Sequence, residues 1–102
     1  MKKMIKNIYT IAFLVFFSLN INAQVKLYVS PTGNDLNPGT KKQPLASLTG
    51  ARNAIRNHKK DAKQSSSFIV TIADGFYTMK ETFVLTHEDS GTLDSPIIYK
   101  AE

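Results

Sequence analysis

Glu88 and Asp89 are the chain's one adjacent pair of acids, and His87 precedes them. A glycosidase places two carboxyl groups about 5–9.5 Å apart across a sugar. Neighbours in the loop HEDSGTLDS point apart, so turn formation is the expected role of this pair. Asn34, Asp35 and Asn37 are a second polar group. A calcium ion takes six to eight oxygen ligands. One loop carrying a single carboxylate is a poor cage, and an Asx-turn network that stiffens the loop is the expected outcome. Asp74-Gly75 is likewise a turn signal. Arg52, Arg56, Lys59 and Lys63 recur at helical spacing and form a basic stripe. Such a stripe could attract an acidic glycan; a solvated helix face is its ordinary meaning. His58 falls on the apolar face of the same segment, where a lone histidine is ordinarily a boundary residue and not a ligand. Tyr28, Phe76, Tyr77 and Tyr99 could stack on sugars where exposed and are otherwise core or edge packing. No phosphate loop, zinc spacing or nucleophile elbow is present. The sequence therefore assigns no catalytic residue, no cofactor-binding residue and no metal ligand.

The elements that carry these residues follow from periodicity. VKLYVS (25–30) alternates, with Val25, Leu27 and Val29 on one side, as a strand does. Pro31 ends it. PTGNDLNPGTKKQ (31–43) is dense in Gly, Pro, Asn and Asp and reads as an ordered, turn-rich loop. Ser47 can cap the first amides of a helix. Leu48, Ala51, Ile55, His58 and Ala62 then recur at steps of three and four, one face of a helix over 45–64. Gly50 weakens the first turn by about 1 kcal/mol relative to alanine. From Phe68 the pattern is that of short strands: FIVTIA, apolar on both faces; a brief extended piece at 76–78; TFVLT (82–86); and, after Pro96, IIYKA. Short strands with two apolar faces suit a solenoid, in which each coil buries itself against the next. Val70 and Ile97 are 27 positions apart, a reasonable coil length. A simple antiparallel hairpin over 68–86 is the local alternative.

The chain has 102 residues, enough for one small domain. Lys2, Lys3 and Lys6 precede the uncharged run IYTIAFLVFFSL (8–19), and a more polar stretch ends in the small residue Ala23. Basic, apolar, then small is the order of a secretory signal, with cleavage expected between Ala23 and Gln24. A membrane-spanning helix needs about 20 apolar residues, and this run has 12. Cleavage removes three lysines, so the formal charge falls from +5 to +2. No nucleic-acid footprint is left, and no membrane contact remains after processing. With no cysteine, lipid anchoring and disulfides are both excluded. About 79 residues then remain, a size at which one core is marginal.

The run Tyr28-Val29-Ser30-Pro31-Thr32-Gly33-Asn34-Asp35, then Asn37-Pro38-Gly39-Thr40, Gln43-Pro44-Leu45-Ala46-Ser47-Leu48 and Ala51-Arg52-Asn53-Ala54-Ile55-Arg56 resembles the N-terminal segment of secreted bacterial β-helix proteins of the pectate-lyase-like superfamily. Ala73-Asp74-Gly75-Phe76-Tyr77, Glu88-Asp89-Ser90-Gly91-Thr92 and Pro96-Ile97-Ile98-Tyr99-Lys100-Ala101 fit the same group. The resemblance is closest to glycoside hydrolase family 141 and its relatives and covers residues 27–101. It implies a mainly β fold with one α-helix: the cap helix and first coil of a right-handed parallel β-helix, truncated after about one coil. The expected organisation is a signal peptide (1–23), a first strand and loop (24–44), a capping amphipathic helix (45–64) and an incomplete first coil (65–102). Ser47, Leu48, Ala51 and Ile55 would cap the helix and plug the open end of the core.

The function this implies is that of a structural N-terminal fragment of an exported carbohydrate-active protein, a glycoside hydrolase or polysaccharide lyase. Catalytic acids, the polysaccharide partner and, in lyases, calcium would belong to later coils. Arg52, Arg56, Lys59 and Lys63 are the candidate glycan contacts within the segment. The location would be secreted, periplasmic or at a bacterial cell surface. A non-catalytic extracellular β-helix adhesin is the alternative from another class. A non-functional truncation is the third reading.

Overall fold

A computed structural model describes residues 23–62 and 65–102 of the chain. The apolar N-terminal run and Lys63 therefore lie outside the described residues. The first strand, β1, is Gln24–Val29; it starts at the residue after the expected cleavage point. Helix α1 is Leu48–Asp61. Strand β2 is Ser67–Ile72, a single 3₁₀ turn covers His87–Asp89, and strand β3 is Ile97–Ala101.

The three strands form one parallel sheet in the order β1-β2-β3. No hairpin forms over 68–86, because β2 has parallel partners on both edges. The register sets Val25, Phe68 and Ile97 in one row, Leu27, Val70 and Tyr99 in the next, and Val29, Ile72 and Ala101 in the third. Strand side chains alternate with period two, so these rows share one face. Phe68 is paired with Ile97, a step of 29 residues, and Val70 with Tyr99. The 27-residue interval from Val70 to Ile97 is thus not the repeat, although an offset of two leaves both residues on the same face.

The core sits between that face and α1. Leu27, Val29, Leu45, Ala51, Ile55, Phe68 and Val70 are buried together, with Val25, Ile72, Tyr77, Ile97 and Tyr99 packed around them. Helix α1 contributes Ala51 and Ile55; Leu48 and Ala62, at its two ends, are half-buried. The His58 ring stands edge-on to Phe68, with centroids 5.3 Å apart.

Two expectations are corrected. The helix does not begin at Leu45. Leu45 N donates to the Tyr28 carbonyl and the Leu45 carbonyl accepts from Ser30 N, both at 2.8 Å. Those bonds hold Leu45 extended in a parallel bridge with Val29, and the helix starts after the N-cap Ser47, whose hydroxyl accepts from Gly50 N. It ends at Asp61, with Ala62 N donating to the His58 carbonyl, before the expected limit at 64. Secondly, Thr82–Thr86 is not a strand. Both edges of β2 are occupied, and the segment pairs with no described strand. Val84 and Leu85 are about half exposed.

Candidate functional site

The charged residues singled out in the sequence meet along one side of α1. Arg52, Arg56 and Lys59 lie three and four residues apart, so they share a face, and that face meets the segment 84–90. Arg52 donates through Nη1 to the Val84 carbonyl at 2.8 Å. Arg56 forms a bidentate pair with Asp89: Nε to Oδ1 and Nη2 to Oδ2, each at 2.7 Å. Nη2 also lies 3.2 Å from Oε1 of Glu88. Lys59 Nζ donates to the Glu88 carbonyl at 2.7 Å and to that of Ser90 at 3.3 Å. The stripe is not a row of free cations: its three described members bond to the 84–90 segment, with Lys59 still exposed.

Asp89 is the buried end of this clamp, 9 % exposed. Besides Arg56 it accepts from Thr86 N at 2.8 Å and from the Thr86 hydroxyl at 3.4 Å, both at Oδ2. The Arg56 guanidinium, against the opposing effect of burial and with help from Thr86, holds the Asp89 carboxyl well below the usual carboxylate range. The same bond raises the Arg56 guanidinium above its ordinary value. A carboxylate so held stays ionised and has no proton to give. Glu88 and Asp89 share one cation instead of facing each other across a gap. That arrangement is a fastener and performs no acid–base chemistry.

The polar loop is likewise occupied by structure. Asp35 Oδ1 accepts from Ala46 N at 2.8 Å and Ser47 N at 3.1 Å, and Oδ2 accepts from the Ser47 hydroxyl at 2.7 Å. The Asn34 side chain accepts from Leu36 N, the local Asx bond. Asn37 Nδ2 donates to the Pro44 carbonyl. No group of three or more metal-ligating side chains occurs among the described residues. No described helix is long and apolar enough to cross a membrane.

Of the four aromatics, Tyr77 donates to the Ala73 carbonyl at 2.5 Å. Burial, then the charges of Asp74 and Glu102, push its hydroxyl pKa up. Tyr99 packs edge-on against Phe83 at 6.0 Å, and burial raises it too. Phe76 is almost fully exposed. Tyr28 is half-buried on the outer face of the sheet. The concave features are modest. A cleft of about 230 Å³ lies between the end of α1 and residues 90–95. A groove of about 440 Å³ runs beside α1 past Asp35, Asn53 and Asn57. A third cleft, of about 330 Å³, lies on the outer face beside Tyr28, Lys41 and Lys42.

No family model matches the chain, and no curated protein does. A solved structure described as a glycoside hydrolase superposes with a TM-score of 0.67 at 34% identity, over 76% of this chain. A second, described as a rhamnogalacturonan lyase, superposes with a TM-score of 0.50 at 24% identity, over 74%. The second likeness concerns the fold alone. This chain spans 13% of the first protein and 18% of the second.

Sequence reasoning assigned the acid pair to a turn and the arginines to solvent or a glycan, and so missed their bond. The signal available was complementary charge: an arginine pair four apart on one element and the only adjacent acids on another.

Proposed function

We propose that this chain is the N-terminal end-piece of an exported, carbohydrate-active right-handed parallel β-helix protein. The described residues act as scaffold, and the reaction, hydrolysis or lyase cleavage of a polysaccharide, belongs to coils that follow. One observation carries this reading: the sheet is sealed on one edge and open on the other. On the β1 edge, Tyr28 N donates to the Gly39 carbonyl at 2.8 Å, Leu45 N to Tyr28, and Ser30 N to Leu45. The chain's own loop occupies the ladder positions there. On the outer edge of β3 no described backbone group does so. Unpaired ladder groups beside apolar side chains suit the addition of another strand.

The likeness to a glycoside hydrolase supports the carbohydrate part of the reading. The inner rows, ending in Ile97, Tyr99 and Ala101, support the solenoid part, since each row is a stack that another rung would continue. Any calcium would be held by those later coils.

The test is to read the gene beyond codon 102 and assay the complete product on plant polysaccharides. Further short apolar strands at coil-length steps are expected, with release of either reducing ends or unsaturated sugar products. A continuation without such strands overturns the end-piece reading. A complete protein that binds glycans without cleaving them points instead to an adhesin.

A further inference from the structure

The outer face of the sheet carries a charge pattern that the scaffold reading leaves unused. Residues of opposite parity to the core rows point there. In register these are Lys26, Ile69 and Ile98 in one row and Tyr28, Thr71 and Lys100 in the next. The turn 39–45, bonded to the β1 edge through Gly39 and Leu45, brings Lys41 and Lys42 to the same side. A cleft of about 330 Å³ forms where turn and sheet meet, lined by Tyr28, Ser30, Thr71, Lys41, Lys42 and, at its β3 end, Glu102. That volume lies at the lower end of small-ligand sites, about 300–1,000 Å³.

Among the described residues the ion pairs are those of Arg56, so Lys26, Lys41, Lys42 and Lys100 have no carboxylate within salt-bridge distance. Lys41 and Lys42 thus line the cleft with Tyr28, and Lys26 and Lys100 stand on the same sheet face, while the net charge of residues 24–102 is only +2, the +5 of the whole chain less Lys2, Lys3 and Lys6. Glu102 is the only acid lining the cleft. Local positive charge is thus gathered on one face.

We infer that this outer-face cleft binds an anionic saccharide, a short run of uronic-acid residues, independently of any active site. The Tyr28 ring offers an apolar surface for the C–H face of a sugar ring. Lys41 and Lys42 meet carboxylates, with Lys26 two residues along β1 from Tyr28 and Lys100 across the sheet in Tyr28's own row. Ser30 and Thr71 supply hydroxyls for the sugar's own hydroxyl groups. A nucleic acid, by contrast, calls for a strongly basic domain and a broad footprint, which a net +2 and one small cleft do not provide. The site does not rest on the end-piece reading, because its residues are positioned by the three described strands, Glu102 and the 39–45 turn.

The test is titration of the full 102-residue chain with tetragalacturonate and with its methyl ester, which keeps the rings and removes the charge. The acid form is expected to bind, more weakly as salt rises, and the ester at least about tenfold less well. The double variant K41Q/K42Q should lose at least about tenfold. The control K60Q/K80Q, of equal net charge but on the helix and the long coil, should bind as the unaltered chain does. Hydrogen exchange supplies a second reading that needs no variant: the tetramer should slow the amides around Lys42 and Thr71. Equal losses in both double variants, equal binding of ester and acid, or equal binding of a single-stranded DNA of matched charge each overturn the proposal. Absence of binding does so too. None of these outcomes bears on whether further coils follow residue 102, so the two readings fail separately.

Discussion

At the residue scale the fold turns on Asp89. A buried carboxylate is costly unless fully bonded, and here two guanidinium N–H groups and the Thr86 amide supply the bonds. Asp89→Asn keeps the shape and discards the charge. It should lower stability by about 1.5–3 kcal/mol, the range for hydrogen bonds to charged groups, measured by urea unfolding. The pH dependence follows from the depressed Asp89 carboxyl. In the unfolded chain the group titrates near its ordinary 3.8 and in the folded chain well below it. The stabilisation is therefore fully present above the unfolded value and is lost as pH falls toward the folded one. Asp89→Asn should flatten that acid limb and leave the neutral plateau level, only lower. An acid limb of unchanged slope in the variant would assign the effect to other carboxyls. This contact joins positions 33 apart, and no local pattern in the sequence marks such a pairing. Ser47 differs: a serine just ahead of an apolar stripe is legible as a cap, because capping is a matter of adjacent residues.

At the element scale the question is what starts the helix and seals the first strand. Both answers come from the 31–47 segment. Gly39 sits at φ +90°, where a side chain would be strained, and a Cβ there would fall 2.8 Å from a Leu27 methyl carbon. Gly33 is tighter, with a Cβ only 2.2 Å from the Leu45 carbonyl oxygen. These close approaches let the loop lie along β1 and satisfy its outer amides. Asp35 fastens the far end of the same loop to the helix start. Asp35→Ala removes three acceptor contacts at once, so it should cost more than Ser47→Ala, whose loss is about 1 kcal/mol. Thermal unfolding of the two variants gives the order, and an equal or smaller effect of Asp35→Ala would show that the cap alone sets the helix start. Sequence reading found this loop ordered from its composition. It extended the helix back to Leu45 because an apolar residue after proline fits either a helix or a bridge, and only the Tyr28 and Ser30 bonds decide. It also gave TFVLT a strand from its β-branched residues; the segment pairs with none of the three described strands, and propensity alone does not make a strand.

At the scale of the whole molecule, the described chain is asymmetric in what it hides. One end of the sheet is closed by the 39–45 turn and by Ala51 and Ile55 of the helix. Toward β3 the covering thins: Ile98 is 44% exposed, Val84 and Leu85 about half, and Phe76 and Leu93 almost wholly. The parallel order of strands could be anticipated from apolar runs on both faces, since such strands need neighbours on either side. Where the stack opens could not, because that depends on which backbone groups find partners. A strand edge left unpaired next to apolar side chains invites pairing with another chain. Gln24–Glu102 prepared alone should therefore associate as its concentration rises, and sedimentation would show it. Ile98→Lys, on an outward position of the edge strand, should reduce that association without touching the core rows, as edge lysines do in natural sheets. If Gln24–Glu102 instead sediments as a monomer at all concentrations and unfolds cooperatively, the β3 edge needs no neighbour, and the sheet is complete with three strands.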